Sequence, residues 1–112
     1  VLQDSVGATI TTATSASNVT FDFGASCHHT ITMGHNVTFE DPSNEVVGQS
    51  GSIIIIQPSS GGPYTGDWSN AAWRFTGGNA PTLSTAANAV DRIDYLVVAA
   101  GNIHCVASLD VK

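Results

Sequence analysis

Asp91-Arg92-Ile93-Asp94-Tyr95-Leu96-Val97-Val98-Ala99 and Ile103-His104-Cys105-Val106-Ala107-Ser108-Leu109-Asp110-Val111 are two alternating runs on either side of a turn signal, and their reading decides the fold class. Successive side chains of an extended strand point to opposite faces, so a period of two sorts residues between an interior and a surface. In the first run Ile93, Tyr95 and Val97 share one face, opposite Arg92, Asp94 and Leu96. In the second, Ile103, Cys105, Ala107, Leu109 and Val111 fall together, with His104, Ser108 and Asp110 outward. Gly101-Asn102 between them is a two-residue hairpin signal.

The same period recurs toward the N-terminus. Val19, Phe21 and Phe23 alternate with Thr20 and Asp22. Cys27, His29, Ile31 and Met33 form an inward set, with His28, Thr30 and Thr32 outside. Gly34-His35 has the glycine of a type II′ hairpin and leads into a strand that turns Val37 and Phe39 inward. Ser52 to Gln57 holds four consecutive isoleucines, which predicts a central strand buried on both faces. Residues 58–63 read as a Ser, Gly and Pro loop, 64–75 as two short strands around a turn, and 82–89 as a loop or one helical turn. Asn18-Val19-Thr20-Phe21-Asp22 is echoed by Asn36-Val37-Thr38-Phe39-Glu40. Two copies fall short of the roughly three that a solenoid needs, so the echo reads as neighbouring or facing strands of one sheet system. Both copies begin as glycosylation sequons, at Asn18 and Asn36, which Thr-rich strands also produce by chance.

These segments amount to about eight short strands separated by turns, which predicts an all-β, antiparallel β-sandwich or jelly-roll-like domain over residues 1–112. Residues 1–8 read as an extended arm. The length suits one domain with one core. Hydrophobic residues make up 42% of the chain, enough for a packed interior, whereas charged residues make up only 11%. Net charge is −6 and the fixed cations are Arg74, Arg92 and Lys112. Three scattered cations cannot build the basic patch that nucleic acid or an anionic membrane requires. No stretch approaches the roughly 20 apolar residues of a membrane-spanning helix.

Catalytic motifs are sparse. Gly48-Gln49-Ser50-Gly51 misses the spacing of a nucleophile elbow. Acidic pairs such as Asp91 with Asp94, or Glu40 with Asp41, suit strand ends and turns better than glycoside chemistry. Cys27, His29 and Cys105 share the inward parity, but a fourth metal ligand is not evident. Cys27 and Cys105 either pair as one disulfide or sit as buried thiols. Tyr64, Trp68 and Trp73, with Asp67 and Asn70 between them, combine rings that can stack on sugars with groups that can bond hydroxyls, and core burial is the competing fate of such rings.

The chain resembles a β-domain that recurs in structural proteins of tailed bacteriophages, marine and cyanobacterial ones among them. The resemblance is carried by Gly48-Gln49-Ser50-Gly51 with the isoleucine strand, Trp73-Arg74-Phe75 with Gly77-Gly78, Ala80-Pro81-Thr82-Leu83-Ser84-Thr85, Val90-Asp91-Arg92-Ile93-Asp94-Tyr95 and Ile103-His104. Phe21-Asp22-Phe23 and Gly34-His35-Asn36-Val37-Thr38-Phe39 extend it to most of the chain, from Val19 onward. It implies a virion component without enzymatic activity or cofactor, decorating a capsid or forming part of a tail fibre or appendage. Its expected partners are its own copies and other virion proteins, with assembly in the host cytoplasm. The alternatives are a carbohydrate-binding module that recognises a cell-surface glycan through the aromatic group, and an extracellular filament subunit.

Overall fold

The computed structural model of the chain describes residues 9–112, so the arm expected over residues 1–8 lies outside the described residues. The alternating segments form nine strands: β1 Ile10–Ala13, β2 Asn18–Val19, β3 His28–Thr32, β4 Val37–Phe39, β5 Ser50–Ile56, β6 Gly66–Asp67, β7 Trp73–Phe75, β8 Val90–Ala99 and β9 Asn102–Ser108. One 3-10 turn, Thr76–Gly78, follows β7. The fold is all-β and sandwich-like.

A six-stranded sheet has the order β1-β3-β5-β8-β9-β7, and a three-stranded sheet the order β2-β4-β6. The chain visits the two sheets alternately through its first six strands. Each circuit returns it to the same sheet travelling the same way, so β1, β3 and β5 pair in parallel, as do β2, β4 and β6. Parallel neighbours need a long crossover, normally a helix. Here the crossover is the strand of the opposite sheet. Among the described residues antiparallel pairing is confined to β5–β8 and β8–β9, which makes the large sheet mixed rather than antiparallel throughout.

Three stacked rungs result, the first two of roughly 20 residues each, a spacing typical of solenoids. The sequence echo marks two of them. β2 and β4 are neighbours, but Val19 pairs with Phe39 rather than Val37. A slip of two residues preserves which side chains face the core. The third rung, β5 with β6, carries no copy of the motif. Gly34-His35 is likewise not a hairpin, because β3 and β4 belong to different sheets. It is a corner, held by Gly34 N–H donating to Ser15 Oγ of the rung before at 2.9 Å.

The core lies between the sheets. Val19, Phe21, Phe23, Ile31, Phe39, Ile93, Tyr95, Val97 and Ile103 are buried as their parity predicts. On β5 the inward residues are Ile53 and Ile55, while Ile54 and Ile56 lie half-buried on the outer face. Four identical side chains carry no parity signal. Leu109 is exposed because β9 ends at Ser108 and the chain turns at Asp110, whose φ is 53°. The buried Asp91 carboxylate anchors that turn, accepting from Asp110 N–H at 2.8 Å and from Ser84 N–H and Oγ at 2.7 Å each. The β8–β9 reversal sits one residue earlier than read, with Ala99 opposite Asn102 and Gly101 at φ 70°.

Gly51 is the tightest point of the stack. A Cβ there would lie 1.9 Å from the Cys27 carbonyl oxygen and 2.8 Å from Tyr95 Oη. Two strands therefore have to separate to admit any side chain. Gly51→Ala is expected to lower unfolding stability by at least about 2 kcal/mol in urea titration; an unchanged midpoint would contradict this packing.

Candidate functional site

Residues 66–80 enclose an open concavity of about 840 Å³, lined by Asp67, Trp68, Ser69, Asn70, Trp73, Arg74 and Phe75 among others. Of the five residues whose rings and polar groups suit contact with a glycan or a partner, Asp67, Trp68, Asn70 and Trp73 meet there. Tyr64 does not line it: its backbone is clamped by Gln57, whose Oε1 accepts Tyr64 N–H at 3.0 Å and whose Nε2 donates to the Tyr64 carbonyl at 2.7 Å. Arg74 and Phe75 join the rim although the composition of 64–73 gave no sign of them. Strand alternation after Trp73 was the available signal, since it turns Arg74 outward.

The polar groups of the rim are already engaged locally. Asp67 accepts Ser69 N–H at 2.8 Å, and its bonds with Ser69 hold its carboxyl below the usual range. Asn70 donates to the Phe39 carbonyl and to Glu40 Oε2, both at 3.2 Å. Arg74 Nε donates to the Ala71 carbonyl at 2.8 Å.

The tryptophans belong to the core. Trp68 stacks on Phe39 with ring centroids 4.1 Å apart and meets Trp73 and Phe75 edge-on. Both indoles are at least 95% buried, so neither offers the open ring face on which a sugar stacks. Their N–H groups differ. Trp73 Nε1 donates to the Phe39 carbonyl at 3.0 Å, whereas Trp68 Nε1 is buried with no partner. Removing an unsatisfied buried donor relieves a penalty, and removing a bonded one forfeits a bond. Trp73→Phe is therefore expected to be more destabilising than Trp68→Phe by about 1–2 kcal/mol in paired denaturation curves; the reverse order would refute the assignment.

Cys27 and Cys105 are both free thiols, which corrects the disulfide alternative. Cys27 adjoins Gly51, Gly51 pairs with Tyr95, and Tyr95 pairs with Cys105. Three inter-strand spacings, about 14 Å in all, separate the two residues, beyond the reach of a disulfide or a shared metal ion. Burial pushes the Cys105 thiol up to about 12, so it keeps its proton. Tyr95, also raised to about 12 by burial, donates to the Cys27 carbonyl at 2.7 Å and accepts from Gln49 Nε2 at 3.2 Å.

His29 is enclosed by Phe21 and Phe23, with ring centroids at 5.2 and 5.6 Å, and its Nε2 lies 3.0 Å from the Ser26 carbonyl. Burial lowers its pKa, and His28 lowers it slightly further; the Ser26 carbonyl and Asp22 oppose the shift without cancelling it. The unfolded chain then binds the proton more readily than the folded one. Stability contributed by neutral His29 is present above the unfolded value near 6.5 and is lost as pH falls below it. Thermal melts should show the midpoint dropping from pH 7 to pH 5, and His29→Phe should flatten that slope; an identical slope in the variant would contradict the account.

Outside the concavity, the outer face of the large sheet carries Leu96, Val98 and Val106 exposed, with half-buried Ile54 and Ile56 toward its other end, opposite Arg92 and Val90. Arg92 and Asp94 on this face pair with each other at 2.8 Å. Exposed aliphatics on adjoining strands, on a face whose other fixed charge is Arg74, suit contact with another protein surface.

Comparison with protein-family models, curated proteins and solved structures finds no match.

Proposed function

We propose that the chain is a non-enzymatic structural protein of a tailed-phage virion, decorating the capsid or forming part of a tail fibre or appendage. It works through contacts with its own copies and with other particle proteins, and it is assembled in the host cytoplasm. The observation that supports this reading is the outer sheet face, where Leu96, Val98 and Val106 stand exposed and uncharged on a stiff, hydrogen-bonded surface. A rigid face loses little ordering entropy on contact. The sequence resemblance supplies the virion context.

Mass spectrometry of gradient-purified particles from the phage that encodes the chain tests the proposal. The chain should co-purify in fixed stoichiometry with the major structural proteins, and Leu96→Lys with Val106→Lys should reduce its incorporation at least about tenfold. Recovery of the chain only outside the particle fraction would overturn the reading.

A further inference from the structure

The first rung leaves both sheets ending at the same level. β1 is the edge of the large sheet and β2 the edge of the small one. Peptide groups along a strand point alternately to either side, so the bonds already made identify those left free. The Thr9 carbonyl accepts from Ser26 Oγ, on the β3 side, which turns the peptide groups of Ile10 and Thr12 away from β3. The inner strands agree: the Cys27 carbonyl and Met33 N–H face β5, so the residues between them at even positions face β1. In the small sheet the Ser17 and Val19 carbonyls accept from Thr38 and Glu40 N–H, at 2.8 and 2.9 Å, leaving Asn18 and Thr20 facing outward. Among the described residues, the end of the stack thus presents two unpaired strand edges.

Natural edges are usually blunted by being very short, as the two-residue β2 is, by a covering segment, or by Lys, Pro, bulges or inward charges. Ile10-Thr11-Thr12-Ala13 and Asn18-Val19 contain none of those residues. Between the edges lies a depression of about 280 Å³ whose floor is formed by buried Val19, Phe21 and His29. The opposite end is not its complement. There the large sheet runs three strands beyond β5, through β8, β9 and β7, while the small sheet stops at the two-residue β6. A flush end cannot seat on a stepped one, so head-to-tail growth is disfavoured. A flush end fits another flush end.

We infer that two copies of this chain join head to head at the first rung, as a closed two-fold dimer in which β1 pairs antiparallel with β1 of the second copy and β2 with β2. A two-fold axis normal to both sheets makes the two junctions together, because it reverses strand direction and stacking direction while leaving each sheet in its own layer. The large sheets then run on as one, and the two depressions close over each other. This inference deepens the homotypic contact of the proposed function and rests on that reading. It names the edge and favours a closed pair over open polymerisation.

Sedimentation velocity over a concentration series tests it. The chain should sediment as a dimer with no growth beyond two copies. Thr12→Pro combined with Thr20→Pro removes outward-facing donors without breaking an existing ladder bond, and it should yield a monomer with the parent's circular dichroism. Should that variant fail to fold, Ile10→Lys, at an exposed position, should weaken the dimer at least about tenfold. A monomeric parent overturns the inference, as does a dimer that persists in the folded edge variants. A dimer lost only with Val106→Lys also overturns it, and assigns self-association to the outer face. Chain that is monomeric yet incorporated into particles would sink the dimer and leave the virion role standing.

Discussion

One aromatic ring from each rung builds a ladder through the molecule. Phe21 stacks on Phe39 at 5.8 Å, and Phe39 on Trp68 at 4.1 Å. Backbone bonds, core aliphatics and corner side chains also join the rungs, and the rings help to fix which rung lies on which. Gly66 shows how closely they are fitted, since a Cβ there would meet Phe39 at 2.8 Å and Leu83 at 2.9 Å. Corner side chains reinforce the order: Ser15 accepts from Gly34 N–H of the second rung, and Asn36 Oδ1 from Thr65 N–H of the third, at 2.9 Å.

From that ladder follow both the closed and the open ends. The β8–β9 hairpin covers β5 in antiparallel fashion, and β7 adds beyond it in parallel. Buried polar residues lock the returning loops onto this end, with Gln57 holding 64 and 84 and Asp91 holding 84 and 110. Nothing comparable covers the first rung among the described residues. A stack finished on one side only is a shape suited to joining other protein.

The all-β class and most inward faces were legible because period two is a local property. Val37 and Phe39, or Ile93, Tyr95 and Val97, need only their neighbours to be placed. Pairing direction was not legible. It depends on where the chain goes between strands, and the third rung at Thr65-Gly66-Asp67-Trp68 carries no echo of Asn18-Val19-Thr20-Phe21. The isoleucine run hid its own parity. Asp67, Trp68, Asn70 and Trp73 do gather around one concavity, as nearness in sequence suggested. Composition could not show that Phe39 and Phe75 cover the indoles, because those contacts come from other strands.

The parallel rung stack can be read directly by NMR couplings across backbone hydrogen bonds. The Thr38 and Glu40 amides should couple to the Ser17 and Val19 carbonyls, and the Met33 amide to the Ile56 carbonyl. Couplings that instead join residues 31–33 to 36–38 across Gly34-His35 would establish a hairpin and contradict the stacked architecture.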